Sequence, residues 1–343
     1  MTDITIRGAG VFGLSIAWAC VQRGARVRIV DPHGPGAGSS GGIVGALAPH
    51  VPENWNPKKA FQLDSLLMAE DFWRTVATVG GVDPGYARTG RLQPVADDPA
   101  LALARRRAGT AKDLWADHAR WEIVTAQDTA WAPVSPSGWL IRDTLSAHMH
   151  PRRACAALVA ALAAHNVWVE PEAPQDMPTL WATGVTGLHD LSAGRPRPAG
   201  TGVKGQAALL EHDARGQPQV FAGGVHIIPH LDGTTAIGST SERDFTAPHT
   251  TDAGLDAVID AARAAVPALR DAKIIHRWAG MRPRARSRAP MLGAWPGRPG
   301  HFIANGGFKI GFGMAPKVAE VMANLALDGH DTIPDGFRVE DSF

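Results

Sequence analysis

The 343-residue sequence predicts an α/β fold joined to a second, α+β unit, and three observations support this prediction. An alternating apolar run near residue 4 enters a glycine-rich turn, and a helical pattern follows at once. Farther along, two alternating runs flank the turn LDGT at 231–234, which is typical of a hairpin in an antiparallel sheet. A chain of this length is too long for one small core, so we expect two intimate domains.

The first element is a strand, a tight turn, a helix and a second strand between residues 4 and 31. Gly8, Gly10 and Gly13 give the turn the G-x-G-x-x-G spacing, which lets the backbone approach a pyrophosphate at the helix N-terminus. Asp31 ends the second strand, where a carboxylate accepts hydrogen bonds from a ribose 2′-hydroxyl. The segment predicts a Rossmann-type nucleotide site for either NAD or FAD. The alternative is a glycine-rich turn that binds nothing.

The segment that follows, residues 32–50, differs from a plain NAD domain, which continues with a further strand and helix. It is a loop of small residues that includes Ser39, Ser40 and Gly45, and it leads through an apolar run towards a helix. Such a loop wraps closely around a flat ligand and supplies hydroxyl and N–H groups to phosphates. A flexible linker has the same composition, so both interpretations stay open.

The remaining elements follow from hydrophobic periodicity. Helical spacing predicts helices at 57–79, 100–119, 252–269 and 315–327, and a helical apolar run lies at 154–164. The last helix comes after a second glycine-rich loop, GGFKIGFG at 306–313, and its N-terminus stabilises negative charge. A capped surface helix is the alternative there.

Composition limits the function classes. The formal net charge of +1 disfavours a nucleic-acid binder, whose surface is strongly basic. The longest apolar helical run, at 154–164, is too short to cross a bilayer of roughly 30 Å, and we see no secretory signal. Cys20 and Cys155 are too few and too distant for a disulfide framework. We therefore expect a cytoplasmic protein that acts without a membrane.

Taken in order, these segments resemble the D-amino-acid oxidase and glycine oxidase family of FAD enzymes. The resemblance runs along the whole chain, through the segments at 8–31, 38–49, 149–162, 167–169, 180–187, 202–206, 226–242, 278–293 and 303–326. It implies a discontinuous FAD-binding domain at 1–78, 143–203 and 277–343. The substrate domain, with its antiparallel sheet, would comprise 79–142 and 204–276.

The resemblance also implies which residues contact FAD. They are Gly8, Gly10, Val11, Phe12, Gly13, Asp31, Pro32, Ser39, Ser40, Gly45, Ala46, Leu47, Val169, Thr183, Gly184, Gly307, Lys309, Ile310, Gly311 and Phe312. Some family members attach FAD covalently through Cys or His. Here the flavin loop has no histidine beside its two serines, and Cys20 lies in the first helix facing the core, so we expect non-covalent FAD.

Flavin amine oxidation requires little from side chains, because the substrate Cα–H leaves as hydride to flavin N5 and the cofactor does the difficult step. The expected catalytic residues are therefore few. Arg282 in GMRP stands where the family places its carboxylate-binding arginine, and a guanidinium fork suits a carboxylate. Lys309 stands where a further basic residue is frequent beside the flavin. His50 follows the flavin loop and is placed to line the cavity.

Several positions depart from the family. Thr and Asp commonly follow the RP pair, whereas this chain has Ala285 and Ser287. The alternating Arg284, Arg286 and Arg288 favour exposed loop positions over a site for an acidic substrate.

Three further positions bear on the substrate and on metals. The single tyrosine, Tyr86, leaves open whether a substrate-holding hydroxyl exists, and His230 replaces a frequent Arg or Lys. His148 and His150 have no third ligand nearby in sequence, so we expect no metal.

These observations favour an FAD-dependent enzyme that oxidises a small amino acid or an N-substituted glycine to an imine. O2 or another acceptor would take the electrons, and monomer and oligomer both stay open. One alternative is the flavin module of a tRNA wobble-uridine modification enzyme that acts on a carboxymethylaminomethyl group. NAD-dependent dehydrogenases and non-enzymatic flavin binders are weaker alternatives.

Overall fold

The structure is a computed structural model that describes residues 3–127, 129–174 and 178–343. Its strands, numbered in chain order, are β1 Ile4–Arg7, β2 Val27–Val30, β3 Gly45–Leu47, β4 Arg91–Pro94, β5 Trp121–Thr125, β6 Trp139–Asp143, β7 Ala147–Met149, β8 Val169–Glu170, β9 Thr179–Trp181, β10 Gly200–Glu211, β11 Gln219–Ala222, β12 Val225–Pro229, β13 Thr235–Gly238, β14 Lys273–Ala285, β15 Met291–Ala294 and β16 His301–Asn305. Its α-helices are α1 Val11–Gln22, α2 Pro57–Gly80, α3 Asp98–Trp115, α4 Pro151–Ala163, α5 Gly184–Ser192, α6 Ala253–Ala265 and α7 Gly311–Asp328.

A six-stranded sheet forms the nucleotide-binding half, in the order β15-β16-β9-β1-β2-β8. Its strands are parallel except for the β15–β16 pair at one edge. Helices α1 and α2 both pack against α4 and α7. Apolar side chains fill the space between them, so α1 is buried along nearly its whole length.

An eight-stranded sheet forms the second half, in the order β14-β10-β13-β12-β11-β4-β6-β5. All neighbouring strands in it are antiparallel except β11 and β4. Helix α6 covers β10, β12 and β13 with Leu255, Val258, Ile259 and Ala262, which repeat at helical spacing. The predicted α/β fold with a Rossmann-like sheet and a mostly antiparallel second sheet is confirmed.

The longest strand pair among the described residues lies within the eight-stranded sheet. β10 and β14 pair antiparallel from Gly200–Ala285 to Glu211–Lys273, with one irregularity between Leu209 and Leu210. The predicted domain boundaries at 203/204 and 276/277 fall inside these two strands. The division into two domains therefore remains a proposal, which the two separate sheets support.

Most predicted helices lie close to their expected bounds, and α2 differs from its prediction by one residue. Helix α7 begins at Gly311, four residues earlier than predicted, because Gly311 and Gly313 weaken the helical signal in the sequence. Within the described part of the chain, no helix is both long and apolar enough to cross a membrane.

Candidate active site

The turn between β1 and α1 is closely packed on three sides. Gly8 has a φ of +106°, and a Cβ there would lie 2.3 Å from the carbonyl oxygen of Ala182. A Cβ on Gly13 would lie 1.8 Å from the carbonyl oxygen of Gly8. Only glycine permits this approach of turn, helix and the β9–α5 segment, as the G-x-G-x-x-G spacing predicted.

Helix α1 begins without a capping side chain at Gly10. The N–H of Val11 donates to Ser40 Oγ at 2.9 Å, from the 3-10 helix Ser39–Gly41 of the predicted flavin loop. Within the described residues, the N–H groups of Gly10, Phe12 and Gly13 find no protein acceptor. Free N–H groups at a helix N-terminus fit a pyrophosphate, so this turn suits the dinucleotide that the sequence predicted.

Asp31 lies half-buried at the carboxyl end of β2. Its carboxylate accepts hydrogen bonds from the N–H groups of Ala9, at 2.8 Å, and His33, at 2.9 Å. These two bonds hold the carboxylate beside the glycine turn and leave further lone pairs for ribose hydroxyls. Pro32 next to it is exposed. Val169 lies on the neighbouring strand β8, in register with Ile29 of β2.

The second predicted turn, Thr183–Gly184, follows β9 directly and starts α5. The side-chain amide of Asn305 donates to the carbonyl oxygen of Gly184 at 2.9 Å, and its own oxygen accepts from the N–H of Gly306 at 2.7 Å. Asn305 therefore ties this turn to the glycine loop before α7. The sequence analysis missed Asn305, because a single asparagine at a strand end carries no local signal.

The loop before α7 packs onto the start of α1. Gly307 lies against the ring of Phe12, and Gly311 lies against Val11. Helix α7 has no side-chain cap at Ile310, and its first N–H groups, at Gly311, Phe312 and Gly313, reach no acceptor among the described residues. The two glycine-rich loops, at 8–13 and 306–313, lie far apart in the chain and are in contact in the fold, so their free N–H groups lie close together.

Three other helices, α2, α3 and α6, begin with a capping side chain. Asn56, Asp97 and Asp252 cap helices α2, α3 and α6, and each side chain accepts from a backbone N–H of the first turn. Such a cap contributes about 1 kcal/mol to helix stability. Helices α1 and α7 lack such a side chain at their N-cap residues, Gly10 and Ile310, so their first free N–H groups suit a negatively charged ligand.

The remaining flavin-loop residues form a small ribbon. In it β3 pairs antiparallel with β7, so Gly45 lies opposite Met149 and Leu47 opposite Ala147. Ala46 pairs with His148, which is fully buried. Strand β3 also contacts β12 of the eight-stranded sheet, so the ribbon connects the flavin loop to that sheet.

Arg282 lies on β14 with only 9% of its surface exposed. Its Nη1 donates to the carbonyl oxygen of Thr240 at 3.2 Å, and its guanidinium carbon lies 6.0 Å from the ring of Trp278. A Cβ on Gly205 would lie 1.7 Å from Nη1, so Gly205 on the adjacent strand leaves the space that the guanidinium fills. Burial lowers the pKa of Arg282 to about 10. Among the described residues, no carboxylate lies within ion-pair distance of it.

Lys309 and Arg284 lie close to Arg282. The Lys309 side chain is exposed, and partial burial followed by the charges of Arg282 and Arg284 lowers its pKa. Lys309 Nζ lies 5.8 Å from the centre of the Phe308 ring, and Arg284 Cζ lies 5.3 Å from it. The structure brings the first two predicted catalytic residues into one region.

Arg284 does not lie in an exposed loop. It is half-buried within β14, whereas Arg286 and Arg288 beyond the strand are exposed. The prediction of exposed loop positions is therefore wrong for Arg284 and holds for the other two.

His50, the third predicted catalytic residue, is half-buried after the β3 strand. Its N–H donates to Gln62 Oε1 at 2.7 Å, and its Nδ1 contacts the same oxygen. Burial is the main reason why its pKa is lowered, so the ring is neutral at pH 7. Gln62 on α2, which the sequence analysis did not select, orients this histidine.

The other weighed residues lie elsewhere. Burial raises the pKa of Tyr86 to about 12, and its hydroxyl has no hydrogen-bond partner among the described residues. The rings of His150 and His230 lie with their centres 4.5 Å apart and their planes tilted by 39°, and His150 Nε2 lies 4.0 Å from Asp232 Oδ2. Each of these last three offers one atom within 4.8 Å of the others. Because His230 and Asp232 lie far from His148 and His150 in the chain, the sequence neighbours of those two histidines gave no sign of this group.

Comparison with known proteins decides the family. The family model DAO, described as FAD dependent oxidoreductase, matches residues 3–325. The chain belongs to this family. Its FAD dependence and its class, an oxidoreductase of amino acids or amines, follow from the match.

Individual relatives illustrate the family. A glycine oxidase of Pseudomonas putida is 28% identical over 368 residues, which cover 97% of this chain and 96% of that protein. The crystal structure of glycine oxidase from Geobacillus kaustophilus superposes with a TM-score of 0.85 at 19% identity, covering 98% of both chains. The tRNA 5-methylaminomethyl-2-thiouridine biosynthesis bifunctional protein MnmC of Maricaulis maris is 28% identical over 344 residues, which cover 95% of this chain. This DAO-family chain spans about half of that bifunctional protein, 52% of its length.

Proposed function

We propose that this DAO-family protein oxidises the C–N bond of a small amino acid or an N-substituted glycine to an imine. The observation that carries the proposal is Arg282, a buried guanidinium without a carboxylate partner among the described residues. A buried charge is costly unless it is paired, and a substrate carboxylate provides the bidentate partner that the guanidinium fork fits. The P. putida relative, a glycine oxidase, supports the same substrate class.

The residues present fit FAD. The uncapped start of α1 with Asp31 and Ser40 would hold the pyrophosphate and ribose, and the uncapped start of α7 would face the edge of the ring system that becomes negative. FAD, when bound, supplies the hydride acceptor, and O2 or another acceptor takes the electrons afterwards.

We infer that FAD is held non-covalently. Burial raises the pKa values of the Cys20 and Cys155 thiols to about 12, so neither is a reactive thiolate. Both thiols are free, which also agrees with a reducing, cytoplasmic location.

The protein side chains position the substrate and set its protonation state. Arg282 binds the carboxylate, and the positive charges of Lys309 and Arg284 lie in the same region. Nearby positive charge disfavours a protonated amine, so these three basic side chains would lower the pKa of the bound substrate amine. Loss of hydride from carbon needs the neutral amine. The neutral imidazole of His50 is the proposed third side chain of the cavity, held in place by Gln62.

A second candidate is the flavin module of a tRNA-modifying enzyme. The MnmC relative and the exposed Arg286 and Arg288 favour it. The formal net charge of +1 gives it little electrostatic support. RNA binding that weakens by orders of magnitude between 50 and 200 mM salt would support this candidate over the first, since such loss is on the order of 10³ for several phosphate contacts.

The deciding experiment is an anaerobic absorbance spectrum of the purified holoprotein before and after addition of glycine, N-methylglycine, D-alanine, D-proline or D-glutamate. We expect a flavin spectrum that bleaches with at least one of them. A flavin spectrum that none of these amines changes contradicts the proposed substrate class and favours the tRNA candidate. Absence of any flavin spectrum after incubation with FAD contradicts the cofactor assignment in this chain.

A further inference from the structure

Three basic side chains, which we call the cationic cluster, surround the proposed substrate site: Arg282, Arg284 and Lys309. Arg282 and Arg284 are two residues apart on β14, so both point to the same face of the strand, roughly 7 Å apart along it. Lys309 joins them from the loop before α7, where Arg284 forms a backbone bridge with Gly307. Lys309 Nζ and Arg284 Cζ lie 5.8 and 5.3 Å from the centre of the same Phe308 ring, and partial burial followed by the charges of the two arginines lowers the pKa of Lys309.

The cationic cluster has no acidic counterpart. Across residues 3–127, 129–174 and 178–343, no carboxylate lies within 4.0 Å of any of its three members. Glu242 is the acid that interacts with Arg282, and its oxygens are engaged by Lys204, Gln206 and Thr240. One substrate carboxylate satisfies Arg282 and leaves two cations without an anion.

Further positive charge surrounds the cluster on the solvent side. Burial first, and then the charges of Arg243 and Arg288, lower the pKa of Arg284. Lys58 on α2 donates to the carbonyl oxygen of Arg288, and its pKa is lowered mainly by burial and then by Arg288 and Arg284. This surrounding charge would favour the approach and binding of a substrate with more than one negative charge.

We propose that the cationic cluster selects amines that carry two carboxylates, with Arg282 binding the carboxylate next to the reacting carbon and Arg284 and Lys309 binding the second. The inference rests on the proposed function and names its substrate class. The second carboxylate is unchanged by the reaction and contributes binding alone. Iminodiacetate, D-aspartate and D-glutamate are substrates of this class.

The test uses the holoenzyme and two readouts. Steady-state oxidation compares iminodiacetate with N-methylglycine, and D-aspartate with D-alanine. Perturbation of the flavin absorbance gives dissociation constants for succinate and acetate, which lack an amine and are not oxidised. We expect each dicarboxylate to exceed its monocarboxylate partner by at least tenfold, in kcat/KM for the amines and in affinity for the acids.

Variants assign the preference to the cluster. In Arg284→Met we expect the dicarboxylate-to-monocarboxylate ratio to fall at least tenfold in both readouts. The matched control is Arg286→Met, because Arg286 is the next alternating arginine and is exposed. This variant should leave the ratio unchanged.

Each other outcome overturns the inference in a recognisable way. If glycine or N-methylglycine reduces the flavin and the dicarboxylates show no advantage, the substrate class is wrong and the proposed function stands. If no amine in the panel reduces the flavin, the proposed function fails and the inference fails with it. If Arg284→Met changes the dissociation constant of FAD and leaves the ratio intact, the cluster serves the cofactor.

Discussion

Two buried cations on adjacent strands of the second sheet are treated in opposite ways. Lys204 on β10 has 1% of its surface exposed, and Arg282 on β14 has 9%. In the ladder, Lys204 pairs with Met281 and Val203 with Arg282, so the two cations lie one position apart. Lys204 Nζ lies 2.7 Å from Asp252 and 3.4 Å from Glu242. Arg282 donates a hydrogen bond to the carbonyl oxygen of Thr240 and has no carboxylate within 4.0 Å among the described residues.

The difference separates a structural charge from a proposed binding charge. The ion pairs of Lys204 tie β10 to the start of α6, and they raise the pKa of Lys204, chiefly through the hydrogen bond to Asp252. Arg282 has no ion pair among the described residues, and the charge of Glu242 only partly offsets the burial that lowers the pKa of Arg282. A fold keeps an uncompensated buried charge at a cost in stability, and the cost is offset when an anionic ligand binds. Location and burial alone would not distinguish these two residues.

The largest expected effect concerns Arg282. In Arg282→Met, the KM for a carboxylate-bearing substrate should rise about 100-fold, because a charge-assisted bidentate contact worth about 3 kcal/mol is lost. The free energy of unfolding should stay the same or increase, since an unpaired buried charge is removed. Steady-state kinetics and urea unfolding of the FAD-bound protein measure both. Arg282→Lys is the control, because it keeps the charge without the guanidinium fork. Its KM should lie between those of the parent and of Arg282→Met. A loss of stability with unchanged KM would make Arg282 structural.

Lys204 should show the reverse pattern. Lys204→Met removes a charged donor from Asp252 and Glu242, and should lower the free energy of unfolding by about 2 kcal/mol while KM changes little. Urea denaturation provides the measurement. Arg277→Met is the matched control on the same sheet edge, because its pair with Asp256 is exposed and surface pairs contribute less than about 1 kcal/mol. Equal losses in the two variants would contradict the distinction.

The buried His148 adds a third case to the comparison, because burial keeps its ring neutral. Burial lowers the pKa of His148 to about 4, below its ordinary value of 6.5. The unfolded chain therefore binds a proton that the folded chain excludes, and this contribution to stability is present above pH 6.5 and is lost as the pH falls towards 4. At pH 5.5 the loss should be about 1.4 kcal/mol. Unfolding of the protein and of His148→Leu at pH 7.5 and 5.5 measures it. A variant with the same pH dependence as the parent would show that His148 is not responsible.

The smallest effect concerns a neutral acceptor. Ser40→Ala removes the acceptor of the Val11 N–H at the start of α1, and should cost about 1 kcal/mol of stability in the FAD-free protein. The dissociation constant of FAD should rise a few-fold, because the loop loses its attachment to the helix. Thermal unfolding and FAD titration test this. Ser39→Ala is the control for stability, since no side-chain hydrogen bond to its hydroxyl is present among the described residues, and its thermal unfolding without FAD should match that of the parent.

Local chemistry was readable from the sequence, and long-range pairing was not. The turn at Gly8–Gly13 could be predicted because its spacing, strand and helix are contiguous. Arg284 was misplaced because alternating arginines around a proline read as a loop. Pro283 is tolerated in β14 because that strand is the sheet edge and needs no N–H on its outer side. The partners of Lys204 lie 38 and 48 residues away, a separation that no periodicity encodes.

One backbone hydrogen bond has a geometric consequence. The N–H of Phe308 donates to the carbonyl oxygen of Pro283 at 2.9 Å, and so joins the strand that carries Arg282 to the loop that starts α7. The strand of the proposed carboxylate anchor is therefore tied to the start of α7 by backbone pairing, which the bridge between Arg284 and Gly307 extends. If Arg282 and the start of α7 bind the substrate and the flavin as proposed, this pairing sets the distance between the two binding groups. A side-chain substitution in this region would then leave that distance in place, because backbone atoms make the connection.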